Sequence, residues 1–162
     1  MKKKIATLLV ALLTVMGAHA QFEEGKVYLG GSLTGLNLSY NGSEDLSLGL
    51  QAQAGYMFQD NWMVTAQAGY SHSGNDDISD QLMVGAGLRY YIIDNGLFIG
   101  LNAKLVHANH SYNDLKPGLE LGYAFFLGKS VTLEPALYYD QSFRNHSDYS
   151  TVGLRIGVGI YL

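Results

Sequence analysis

From residue 21 to the last residue, apolar side chains recur at every second position in runs separated by turn chemistry. The final run, 149–162, sets the pattern. Val152, Leu154, Ile156, Val158, Ile160 and Leu162 share one parity, and Thr151, Gly153, Arg155, Gly157, Gly159 and Tyr161 share the other. This is the period of two of a β-strand, one face greasy and the other small or charged. A long apolar strand with a free edge invites edge-to-edge association, and a sheet that closes on itself removes that edge. The alternation therefore demands a partner for every strand.

Eight such runs of roughly 9–14 residues follow one another, and no helical period competes with them. The first, about 26–40, carries Val27, Leu29 and Leu33 on one parity and then Leu36, Leu38 and Tyr40 on the other; the switch at Gly35 predicts a bulge. The second, about 46–58, aligns Leu46, Leu48, Leu50, Ala52, Ala54, Tyr56 and Phe58 against Ser47, Gly49, Gln51, Gln53 and Gly55. Asp60 and Asn61 turn the chain into a third run led by Trp62, Val64 and Tyr70. The fourth carries Leu82, Val84, Leu88 and Tyr90, and Asp94, Asn95 and Gly96 form a hairpin signal before the fifth, with Leu97, Ile99, Leu101 and Leu105. A sixth run holds Leu119, Leu121, Tyr123 and Phe125, and Gly128 and Lys129 lead to a seventh with Val131, Leu133, Leu137 and Tyr139. Pro135, lacking an N–H, predicts a second bulge there. Connections near 42, 75, 111 and 145 are long and polar, while those near 60, 95 and 129 are short. The expected fold is all-β, an eight-stranded antiparallel up-and-down β-barrel.

Residues 1–20 read as a signal peptide: Lys2, Lys3 and Lys4, then an apolar stretch too short to span a bilayer, then a small-x-small site at Ala18, His19 and Ala20. Residues 21–162 are then the single barrel domain. The chain has no cysteine, which excludes disulfides and a lipoprotein anchor. Losing the three lysines takes the formal charge from −4 to −7, so nucleic acid is not an expected partner. Charged residues make up 15%, against about 25% in soluble domains, so part of the surface is expected to be dry.

The charges decide which face is dry. Arg89, Lys104, Glu120, Glu134 and Arg155 all lie on the polar parity, and a basic residue facing lipid at the midplane costs about 2–4 kcal/mol. They are expected to point inward as a structural lumen ion network, with the apolar parity outward in a transmembrane barrel. A soluble barrel of the inverted sense would have an outer face of Gly, Gln and Ser with too few charges. Aromatics agree: Tyr56, Phe58, Trp62, Tyr90, Tyr123 and Phe125 gather by the short turns, and Tyr40, Tyr70 and Tyr139 by the long loops, as two interfacial girdles.

With these residues in place the chain resembles the small eight-stranded outer-membrane barrels of the OmpA transmembrane-domain and OmpX kind, within the broad outer-membrane β-barrel-domain family. The last run, ending in Tyr161 and Leu162, is similar to the terminal strand that the barrel-assembly machinery reads in such proteins. The resemblance implies a monomer in the outer membrane, short turns facing the periplasm, and lipid bilayer and lipopolysaccharide as surroundings. It also implies a lumen too narrow for a general pore and no cofactor. A structural or envelope-stabilising role follows, with adhesion or ligand binding through the loops as the alternative.

Chemistry is sparse. His72, His107, His110 and His146 lie at the long-loop ends, where histidines are usually solvated, and Asn75, Asp76, Asp77 and Asp80 match no calcium loop. Resemblance to the lipid A-modifying barrel enzymes would imply a His-x-Ser arrangement with both side chains on one face of a strand, but His110 and Ser111 are adjacent and would face opposite sides. No enzyme activity and no metal site are expected. Hairpin geometry predicts the ion partners. A loop centred on residue 112 sets Lys104 opposite Glu120, one centred between 144 and 145 sets Glu134 opposite Arg155, and Arg89 reaches across the lumen to a glutamate.

Overall fold

The computed structural model describes residues 22–36, 47–73, 81–92, 95–108, 112–143 and 150–162. The expected signal peptide, Tyr40, the 74–80 acidic stretch, His110, Ser111 and His146 lie outside the described residues. Where the sequence alternates, the chain is extended: β1 (Val27–Leu36), β2 (Ser47–Gln59), β3 (Trp62–Ser73), β4 (Gln81–Ile92), β5 (Leu97–Ala108), β6 (Tyr112–Tyr123), β7 (Phe125–Phe126), β8 (Val131–Asp140) and β9 (Thr151–Tyr161). Every pairing is antiparallel between neighbours, and β1 with β9 and β6 with β8 close the ring. β6 and β7 are one wall strand interrupted at Ala124, whose amide donates to the Gly96 carbonyl at 2.8 Å. The register against β8 is the same on both sides of that break, Gly122 with Ala136 and Phe125 with Leu133. The barrel therefore has eight strands.

Parity sorts the side chains as a lipid-embedded barrel requires. Leu50, Leu101, Leu105, Leu121 and Leu137 stand outward and exposed, while Tyr28, Met57, Met63, Tyr91 and Phe98 are buried inside. The short-turn girdle forms cross-strand and same-strand aromatic contacts, Trp62 on Tyr90 at 4.7 Å and Tyr123 on Phe125 at 4.4 Å. Gly96 and Asn61 take positive φ in the short turns, which the backbone there needs and which Gly and Asn supply cheaply.

The bulge at Gly35 is present: against β9 the register steps from Thr34 opposite Arg155 to Leu36 opposite Leu154. The bulge expected at Pro135 is not. Pro135 sits opposite Ile156 in an unbroken register along β8 and β9. Its missing N–H is accommodated on the other side, where the ladder to β6 and β7 lapses beside Glu134 and Pro135 without shifting. A bulge the alternation did not announce lies between Met57 and Gln59, next to the tight β2–β3 turn.

Candidate functional site

Inward side chains fill the bore in three tiers. The middle tier is built on Arg89 of β4, a fully buried guanidinium. Its Nε donates to Glu120 Oε1 at 3.1 Å and its Nη1 to Glu134 Oε2 at 3.0 Å. Nη2 donates to Gln53 Oε1 at 3.1 Å, and the plane lies 4.0 Å over the Phe98 ring. Arg155 of β9 donates to the second oxygen of Glu120. Glu134 also accepts from Tyr28, Thr132 and Tyr161 hydroxyls at 2.9, 2.8 and 3.1 Å. A buried carboxylate with donors on both oxygens is one that the interior tolerates, because its desolvation is offset.

Toward the long loops, Lys104 of β5 donates to both oxygens of Asp140, at 2.8 and 2.6 Å, and stands 5.2 Å over the Tyr138 ring. Ser142 donates to Asp114 at 2.6 Å, and Lys116 lines the same space. A cavity of about 130 Å³ opens here among Gln51, Gln81, Lys104, Tyr138, Asp140 and Arg155. Toward the short turns the bore is closed by apolar and aromatic side chains.

All five residues of the expected lumen network are buried inside, but their partners differ from the hairpin prediction. Lys104 faces Lys116, not Glu120, and Glu120 faces Gly100. Glu134 faces Gly157 and Arg155 faces Ala136, not each other. The β5–β6 loop is thus centred on residue 110, and the β8–β9 loop between 145 and 146. The register follows the ladder of outward apolar pairs and the turns; the ions do not set it. Their long side chains bond to strands one or two further round, so the closed ring, not the hairpin, decides which charges meet. On one neighbouring strand each ion has a small residue opposite it: Gly100 for Arg89 and Glu120, Gly85 for Lys104, Gly157 for Glu134 and Ala136 for Arg155. A Cβ on Gly100 would stand 2.5 Å from Glu120 Cγ, so only glycine leaves that carboxylate its space.

Absent from the expected network are Asp114, Lys116 and Asp140, which border the long polar connections near 111 and 145, and the tyrosines 28, 91 and 161. Their parity would have found them: Asp140 lies six residues beyond Glu134 on the same face of β8, and Asp114 six before Glu120 on β6. With them, the described lumen balances four cations, Arg89, Lys104, Lys116 and Arg155, against four carboxylates, Asp114, Glu120, Glu134 and Asp140. Among the described residues no group of three or more potential ligands could hold a metal ion. His107 is exposed and bonds Asn113 at 2.6 Å. Chemically the arrangement cross-links strands, each of the four carboxylates accepting from a side chain of another strand or its flanking loop.

Residues 5–162 match the family model described as the outer membrane protein beta-barrel domain. No curated protein matches the sequence. Among solved structures, the N-terminal β-barrel domain of Pseudomonas aeruginosa OprF is similar at TM-score 0.63 and 13% identity, over 86% of this chain and 98% of that one. Neisserial surface protein A gives 0.62 and 14%, over 85% and 97%. Ail of Yersinia pestis, determined in a phospholipid bilayer nanodisc, gives 0.60 and 14%, over 86% and 100%. At these identities the likeness speaks for the fold.

Proposed function

We propose, from the premise that this chain belongs to the outer membrane protein β-barrel domain family, that it serves a structural, envelope-stabilising role in the bacterial outer membrane without catalysis and without a general pore. The single observation that supports this is the occupied bore: Arg89, Glu120, Glu134 and Arg155 interlock across it. An eight-stranded barrel is just wide enough for its side chains to fill. On this reading residues 1–20 direct export, the short turns face the periplasm and the long loops face outward. The outward apolar parity contacts lipid and lipopolysaccharide, and the chain acts as a monomer. The outer face of β9, with Val152, Ile156, Val158 and Ile160 exposed, is what the assembly machinery would meet. Liposomes carrying the refolded protein are expected to show no swelling with sugars; steady sugar passage would overturn the reading.

A further inference from the structure

Ten side chains form the buried apolar layer at the short-turn end, and their origin is informative. Tyr28 comes from β1, Met57 from β2, Met63 from β3, Tyr91 from β4, Phe98 from β5, Phe126 from β7 with Ala124 just before it, Ala136 from β8 and Tyr161 from β9. Every wall strand contributes, so the layer is a complete ring. The tenth member, Phe22, belongs to no strand. It precedes β1 and is 3% exposed.

Its ring stacks on Tyr91 at 4.0 Å and meets Phe126 and Tyr161 edge-on, each at 5.6 Å. Those three contacts come from strands spread over half the circumference, which places the phenyl group in the bore rather than against one wall. Two members of the ring are alanines, so the wall alone leaves the space that Phe22 occupies.

The backbone holds it there. The Asn61 amide donates to the Phe22 carbonyl at 2.8 Å, and the Tyr91 amide donates to the Asn61 carbonyl at 2.9 Å. The Glu24 amide donates to Asp60 Oδ1 at 2.9 Å, the Gly25 amide to the Met57 carbonyl at 2.8 Å, and the Met57 amide to the Lys26 carbonyl at 2.9 Å. Gly25 has φ of 89°, the left-handed conformation that folds this segment back over the mouth and that a side chain would strain.

We propose that residues 22–26 are a strap whose Phe22 plugs the short-turn mouth, making the lumen a blind chamber that water enters only from the long-loop end. The polar cavity beside Lys104 and Arg155 is the open part of that chamber, and the aromatic layer is its floor. The floor thereby seals the polar interior at the short-turn end.

The absence of cysteine permits a direct test with single reporters and a membrane-impermeant thiol reagent supplied to both sides of protein-bearing vesicles. Thr132→Cys reports the plug layer, since Thr132 is fully buried and lies opposite Phe126. Thr151→Cys reports the cavity it lines. Thr151→Cys is expected to label readily in every background. Thr132→Cys is expected to be protected, and to label about tenfold faster or more once Phe22→Ala removes the plug, as when a site no longer needs local opening. The heat-shifted gel mobility of the folded barrel is read for each variant. If Phe22→Ala does not fold, Phe22→Leu, which keeps an apolar side chain but loses the stack on Tyr91, is expected to give a smaller rise. Thr132→Cys labelling as fast as Thr151→Cys with Phe22 intact would overturn the proposal, as would protection unchanged in the folded Phe22 variants.

Discussion

The pair Lys104 and Asp140 gives the sharpest test of which charges meet in this barrel. Both are nearly buried, 4% and 8% exposed, and the ammonium donates to both carboxylate oxygens. In a dry interior, removing one member of such a pair costs about 3–5 kcal/mol, because the other charge is left behind. This pair borders a polar cavity of about 130 Å³, and at ~30 Å³ per water a few molecules can enter and solvate the survivor. The expected loss for Lys104→Met or Asp140→Asn is therefore about 1–3 kcal/mol. The double variant is expected to lose less than the two losses together, with a coupling of about 1–2 kcal/mol. The control cycle is Lys104 with Glu120, the pair that simple hairpin geometry favours. These two do not touch, Glu120 being held by Arg89 and Arg155, so their losses are expected to add within ~0.5 kcal/mol. Reversible urea unfolding in lipid vesicles measures all five variants and the parent, and Trp62, the only tryptophan, reports the transition from its packing against Tyr90. Coupling below ~0.5 kcal/mol for Lys104 with Asp140, or a larger value for Lys104 with Glu120, would refute the assignment.

Arg89→Met is expected to cost about 3–5 kcal/mol in the same assay, and Arg155→Met less: Arg89 serves two carboxylates, whereas loss of Arg155 leaves Glu120 still bonded to Arg89. An equal or reversed order would contradict the hub role of Arg89. Gly100→Val is expected to cost about 1–3 kcal/mol through overpacking against Glu120, and the loss is expected to shrink in a Glu120→Ala background. Additive losses would show that the space at Gly100 is not reserved for that carboxylate.

What the sequence reveals is what period two can encode. Leu101 is exposed and Lys104 is buried because of parity alone, and the same parity holds to the end of β8, where it turns Asp140 inward. The Gly35 bulge was legible because it reverses parity; the bulge beside Phe58 was not, because it falls where the turn begins and leaves no following residues to reverse. Register is a different kind of information. A hairpin shifted by two residues keeps every side chain on its face, so Glu134 could sit opposite Arg155 or opposite Gly157 with the same alternation. Loop centres estimated from polar stretches are too coarse to choose between them. Phe22 was illegible for a third reason: it lies outside any alternating run, and its burial is a property of the closed mouth.

The same distinction explains why the lumen is ionic. An outward ladder of leucines and valines stabilises any sheet in lipid, open or closed, since it needs only neighbouring strands. The inner bonds need more. Lys104 reaches Asp140 across an intervening strand, and Arg89 of β4 reaches Glu134 of β8 past two. Tyr91 and Tyr161 meet hydroxyl to hydroxyl at 2.6 Å from strands on opposite sides of the ring. The Arg89 and Lys104 bridges need β4 to β8 already paired and curled, and the bond from Tyr28 of β1 to Glu134 needs β1 beside β9 as well. Until the strands between them have paired, these ions lack their partners. The lattice therefore adds its free energy late, once several strands have paired and curled, and adds none to an isolated hairpin. That couples the later pairings to one another, a role that bonds between immediate neighbours, such as the outward apolar ladder, do not have.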